Sequence, residues 1–116
     1  MMMEWVWWEL TEDDPDIKDL RGQLTQREVV AWNSVEALQE KYWVMNHSPA
    51  RWGAIMLWRE KKPALADLPP NRTAEMIGRA PDKRMSFTVA ASCLNESQLA
   101  PLASLFEEGL CTTMPS

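Results

Sequence analysis

Histidine is nearly absent from this chain and cysteine is scarce, with one His and two Cys among 116 residues. A zinc-type site needs several N or S ligands at close spacing, and His47, Cys93 and Cys111 do not supply it, so no metal site is expected. Nothing in the sequence points to secretion, where disulfides persist, so the two cysteines read as reduced thiols. The four glycines (22, 53, 78 and 109) stand too far apart to form a phosphate-cradling loop. Positive charge is short as well: 12 Lys and Arg against 17 Asp and Glu leave a net charge of -5. That balance disfavours nucleic acid or an anionic membrane surface as principal partner. Apolar runs are brief. The opening MMMEWVWWEL has no basic n-region or cleavage site and is roughly half a bilayer span, so the chain is read as a cytoplasmic protein without a membrane segment. No repeat, low-complexity tract or local signature of a nucleophilic triad is present.

What the chain has in abundance is tryptophan, seven residues in all. Its organising stretch is Lys41–Glu60, KYWVMNHSPARWGAIMLWRE, which reads as two strands joined by a loop over Asn46–Arg51. Side chains alternate along a strand, so Trp52, Ala54, Met56 and Trp58 face one way and Gly53, Ile55 and Leu57 the other. Both faces are apolar, and such a sheet needs two covers.

Met2–Leu10 reads as a first strand, with Trp5 and Trp7 on one face and Val6, Trp8 and Leu10 on the other, stopped by the turn formers of TEDDP. Asp16–Leu24 is compatible with a short helix or a packed loop. Thr25-Gln26-Arg27-Glu28 fits a capping box opening an amphipathic helix of about four turns that reaches Glu40, with Val29, Trp32, Val35 and Leu38 on its apolar face. Beyond the hairpin, Pro63–Leu68 suits a helical turn or two. Asn71 caps a short helix Arg72–Ile77, which Gly78 ends. Lys83–Cys93 alternates as a last strand, and Leu99, Leu102, Leu105, Phe106 and Leu110 mark a C-terminal helix.

This order, β-α-β-β-α-β plus a terminal helix, predicts a single α+β domain over residues 1–116. It is the ferredoxin-like arrangement of an antiparallel sheet with helices on one face. The opposite face would then expose several aromatics, at roughly 150–250 Å² each. That exceeds the roughly 300–600 Å² usual for the largest apolar patch on a soluble monomer. A homodimer stacking sheet on sheet is expected, with the C-terminal helix folding across that face as the competing cover.

The segments KYWVMN and WGAIMLWREKKPALADL, in strand-helix-strand-strand order, resemble the dimeric α/β-barrel proteins, and within them the YdhR-like and antibiotic-biosynthesis monooxygenases. The resemblance covers about residues 1–93. It implies a small-molecule pocket between sheet and helices and, in some members, oxidation of aromatic substrates by molecular oxygen with no metal or flavin cofactor. Trp58, followed by Arg59-Glu60, matches the tryptophan that lines the pocket in such proteins. No histidine lies between Pro63 and Ile77, where a haem-degrading relative would carry its ligand, and no asparagine lies in the first strand. The function so implied is a cofactor-independent monooxygenase-like or related small-molecule enzyme acting on an aromatic or other hydrophobic substrate. The alternative is a non-catalytic dimeric ligand-binding or interaction protein of the same fold.

Few side chains have chemical capacity. His47, in the hairpin loop, is the one imidazole available as a proton carrier near neutral pH, against the plainer reading of a loop histidine in water. Asn33, beside Trp32, is suited to orienting a carbonyl or simply to facing solvent. With Trp58 these are the candidate catalytic residues. Trp8, Trp32, Trp43 and Trp52 are candidate walls for a flat hydrophobic ligand, against ordinary core packing. Glu9 ends an apolar strand and is either a buried acid with a raised pKa or a residue at the water line. Arg72, Glu75, Arg79, Lys83 and Arg84 form a mixed-charge group, read as hydrated surface or as a pocket mouth steering an acidic ligand.

Overall fold

Alternating aromatic and β-branched side chains make Met2–Glu9 a strand, β1, and the same pattern builds β2 (Leu38–His47) and β3 (Ala50–Trp58). The computed structural model describes residues 1–93 and Asn95. Within them lie α1 (Ile17–Gln23), α2 (Gln26–Ala31), a 3₁₀ turn at Trp32–Ser34, another at Leu65–Asp67, α3 (Arg72–Ile77) and β4 (Lys83–Thr88). The sheet order is β2-β3-β1-β4, and each neighbouring pair is antiparallel. The architecture is α+β with an open four-stranded antiparallel sheet and few, short helices, compatible with the ferredoxin-like arrangement. The expected terminal helix and Cys111 lie outside the described residues.

Caps define the helices. The Asp16 carboxylate accepts the Asp19 N–H at 2.8 Å, the Thr25 hydroxyl accepts that of Glu28 at 3.2 Å, and the Asn71 side chain accepts that of Ala74 at 3.1 Å. Each satisfies a first-turn donor that the helix itself cannot. Gly78, at φ 74°, ends α3 in the left-handed region, where its N–H reaches the Ala74 carbonyl.

Four sequence expectations change in detail. Thr25 caps its helix, but Glu28 does not close the reciprocal box; its Oε1 accepts the Arg72 N–H at 3.0 Å and so ties α2 to the first turn of α3. The helix also stops at Ala31 instead of running to Glu40, passing into the 3₁₀ turn at Trp32–Ser34, and Leu38 is drawn into the sheet opposite Trp58. The last strand ends at Thr88 rather than Cys93, with one further ladder-like bond from Val89 N–H to the Met1 carbonyl. The hairpin is tighter than expected, turning through a cis Ser48–Pro49 peptide spanned by an Asn46 Nδ2 bond to the Pro49 carbonyl.

The covered face of the sheet carries Val6 and Trp8 of β1, Trp52, Ala54, Met56 and Trp58 of β3, and Trp43 and Met45 of β2. Two buried clusters sit there. One joins Trp8 and Trp52 to Ile17, Leu20, Leu24 and Ile77 from α1 and α3; the other joins Trp58, Met56 and Val6 to Trp32, Ala37 and Leu38. Removing one such indole from water is worth about 4–6 kcal/mol as an upper figure, from roughly 150–250 Å² at about 25 cal/mol/Å². Gly53 is required where it stands: a Cβ there would lie 2.2 Å from the Val6 carbonyl oxygen and 2.7 Å from the Trp7 Cβ. Its absence lets β1 and β3 approach under the Trp7 side chain.

Candidate functional site

Antiparallel register lines up cross-strand rows on the covered face. One row runs Met45–Trp52–Trp8, the next Trp43–Ala54–Val6–Arg84, the next Lys41–Met56–Glu4–Ser86, and the last Leu38–Trp58–Met2–Thr88. The third row is unlike its neighbours because it brings a cation and a carboxylate inward among tryptophans.

Glu4 is 4 % exposed. Its carboxylate is held by Lys62 Nζ at 2.9 Å and Arg84 Nη1 at 2.7 Å, cations that reach it from the segment after β3 and from β4. Burial alone would push this carboxyl up and is the largest single influence. The hydrogen bonds and charges of Lys62 and Arg84 together outweigh it and hold Glu4 below the ordinary carboxylate range. Lys41, half-buried, has no carboxylate within ion-pair reach among the described residues. Its Nζ lies 3.1 Å from the ring centroid of Trp32 and 4.7 Å from that of Trp43. Those rings meet edge to face, 6.4 Å apart at 83°. Loss of water brings the Lys41 ammonium down to about 7; Glu28 opposes the shift, Lys62 reinforces it, and Glu4 opposes it more weakly. Neither lysine stood out in the sequence, although a Glu at an inward position of β1 is legible from its alternation with Val6 and Trp8.

The tryptophans named as ligand walls are packed against protein. Trp8 is 4 % exposed and Trp52 3 %; their indole N–H groups donate to the Arg79 carbonyl and to Thr73 Oγ1 at 2.9 and 3.2 Å. Trp32 is buried in the second cluster, and Trp43 bridges both clusters while keeping partial exposure. Trp58 is fully enclosed, and its indole N–H has no hydrogen-bond partner among the described residues. Lys62 Nζ lies 5.9 Å from its ring.

His47 and Asn33 are both exposed, His47 at the end of β2 and Asn33 in the 3₁₀ turn. Three candidate catalytic residues therefore occupy three environments: the hairpin end, a surface turn and the interior. His47 lines an open cleft of about 530 Å³ with Ile17, Lys18, Arg21 and Gly22. A second cleft, of about 610 Å³, runs between the 3₁₀ turn and the loop after β3, past Val35, Glu60 and Leu68. Glu9 sits at the water line, bound by Arg51 at 2.8 Å and by the Trp7 indole N–H at 3.0 Å. Arg51 and Trp7 hold its carboxyl below the usual range, opposite to the rise a buried acid would show. The mixed-charge group divides: Arg79 bridges Asp14 and Asp82, whereas Arg84 turns to Glu4. Among the described residues no group of three His, Cys, Asp or Glu is placed to hold a metal ion, and no helix is long and apolar enough to cross a membrane.

The other face of the sheet has no helix over it among the described residues. Met3 and Trp5 of β1, Tyr42 of β2, and Met85 and Phe87 of β4 are 37–55 % exposed there, around half-buried Trp7, Val44, Ile55 and Leu57. The Trp5 and Trp7 rings lie 4.8 Å apart. No family model matches the chain, and no characterised protein is similar enough to count as a relative.

Proposed function

We propose that the chain works as a homodimer whose two sheets pack face to face in the manner of a dimeric α/β barrel, serving as a binding or interaction protein for a small hydrophobic partner. The single observation behind this reading is the open apolar face, with Met3, Trp5, Tyr42, Met85 and Phe87 turned to solvent. Five large side chains left 37–55 % exposed on one sheet face form a contiguous apolar surface of the kind that marks an interaction site, and an equivalent surface on a second copy is the simplest cover. The binding reading is favoured over catalysis because His47 and Asn33 lie exposed at the hairpin end and in the 3₁₀ turn while Trp58 is enclosed in the interior. Sedimentation equilibrium tests it: a mass near twice the 13.4 kDa of one chain is expected, and one-chain mass at every concentration refutes it.

Trp58 favours a second reading, the cofactor-independent oxygenase implied by the resemblance. Its buried indole N–H, without a partner among the described residues, is a hydrogen-bond donor of the sort a substrate oxygen takes up, at the position where such proteins carry their pocket tryptophan. Quinol- and anthrone-type compounds separate the two readings. An oxygenase consumes oxygen with them, while a binder changes tryptophan fluorescence and leaves oxygen untouched.

A further inference from the structure

We propose that Lys41, seated on the rings of Trp32 and Trp43 at the β2 edge of the covered face, is a nucleophilic amine that captures a small aromatic aldehyde or ketone as an imine. Lysines in soluble proteins normally place their ammonium in water or against a carboxylate, since three strong donors are costly to strip of partners. Here the nitrogen lies 3.1 and 4.7 Å from two indole centroids and makes no ion pair among the described residues. The ring faces give the ammonium modest attraction. They do not replace the water it has lost, and the amine stands near 7. The charged groups around it are Glu28 from α2, Lys62 from the segment after β3 and Glu4 from β1. Glu4 is engaged by Lys62 and Arg84; Glu28 accepts the Arg72 N–H through Oε1, while its Oε2 is buried and has no hydrogen-bond partner among the described residues.

The chemistry balances without any further reactant. The Lys41 lone pair forms a C–N bond to the carbonyl carbon, the carbonyl π pair moves to oxygen, and a proton passes from nitrogen to that oxygen, giving a carbinolamine. Expulsion of the hydroxyl with the remaining N–H proton releases water and leaves the imine. An aromatic carbonyl compound suits the seat because its ring can stack on the faces that the ammonium now covers, at the centroid spacings of 4.5–7 Å that aromatic pairs prefer. Desolvation of a lysine beside apolar walls is also the general route to an amine competent for imine formation at neutral pH.

The probe is benzaldehyde with sodium cyanoborohydride, applied to the full chain across pH 5 to 10, with benzylation read lysine by lysine from peptide masses. An ordinary lysine is neutral to about one part in two thousand at pH 7, so even with its weaker basicity Lys41 should react at least about tenfold faster than Lys18, Lys61 or Lys83. Its pH profile should reach half-maximum near 7, whereas theirs should still be rising at pH 10. Labelling of Lys41 at or below their rate, or in step with their pH profile, overturns the proposal. Reaction of Lys41 with formaldehyde but not with benzaldehyde overturns the aromatic ligand class. The Lys41→Arg variant, which keeps a cation over the rings, should retain the wild-type melting temperature and lose the fast-labelled site; a fast site that persists elsewhere sinks the assignment.

Discussion

Replacing Trp5 by glutamate should split the proposed dimer without unfolding the chain. Trp5 lies near the middle of the open face, between Ile55 of β3 and Met85 of β4, and is 39 % exposed. A Trp side chain offers roughly 150–250 Å², so the part left uncovered in one copy is roughly 60–100 Å². At about 25 cal/mol/Å² its burial by a partner is worth about 1.5–2.5 kcal/mol. A twofold interface contains the residue twice, which doubles the loss to about 3–5 kcal/mol, or two to three and a half decades in dimer dissociation constant. Wild type and variant share the entropy cost of association, so the difference between them is better determined than either affinity. Two carboxylates facing each other add repulsion. Sedimentation velocity over a thousandfold range of concentration measures the shift, and far-ultraviolet circular dichroism checks that the sheet persists. A Trp5→Glu chain that is folded and as tightly dimeric as wild type would refute the placement of the interface.

Two further outcomes follow from side chains inside one copy. Gly53→Ala puts a Cβ against the Val6 carbonyl and the Trp7 Cβ, and the strands must separate; a loss of about 3 kcal/mol, seen as a melting temperature lower by roughly ten degrees or more, is expected by calorimetry. Arg79→Gln should matter less as acid is added. Arg79 hydrogen bonds hold the Asp14 carboxyl down at about 2, below its ordinary 3.8, so the folded chain binds fewer protons than the unfolded one. The stability from that pair is complete above about pH 4 and disappears as pH falls towards 2, so the melting-temperature gap between wild type and Arg79→Gln should be steady from pH 7 to 5 and close below 4. A gap that widens in acid contradicts the pairing.

Local chemistry made parts of this fold readable from the chain alone. Helix α3 runs Arg72–Ile77 as the sequence predicts because Asn71 and Gly78 are adjacent caps whose hydrogen bonds need no distant partner. The faces of β1 and β3 were equally legible, since alternation places Trp5 and Trp7 opposite Trp8 whatever the strand pairs with. The end of α2 was not. Val35 and Leu38 continue a helical spacing, yet Leu38 has more to gain beside Trp58 in the sheet, and such a tertiary gain cannot be read from a local window. The candidate site escaped for the same reason. An inward Glu4 is implied by alternation, but its cations come from 58 and 80 residues away. Lys41 looks like the outer end of a hairpin until the 3₁₀ turn brings Trp32 beneath its ammonium. His47 is the one imidazole of the chain, yet it ends β2 exposed, because rarity in a sequence carries no information about position in a fold.

The most direct test of the proposed sheet-on-sheet pairing is an isotope-filtered nuclear Overhauser experiment on a mixture of labelled and unlabelled chains, which reports only contacts between copies. Cross-peaks from the Met3 and Met85 methyl groups of one protomer to the Trp5, Tyr42 or Phe87 rings of its partner are the expected result. Contacts between copies confined to residues of α1, α2 or α3, or no such contacts from a chain of one-copy mass, would contradict it.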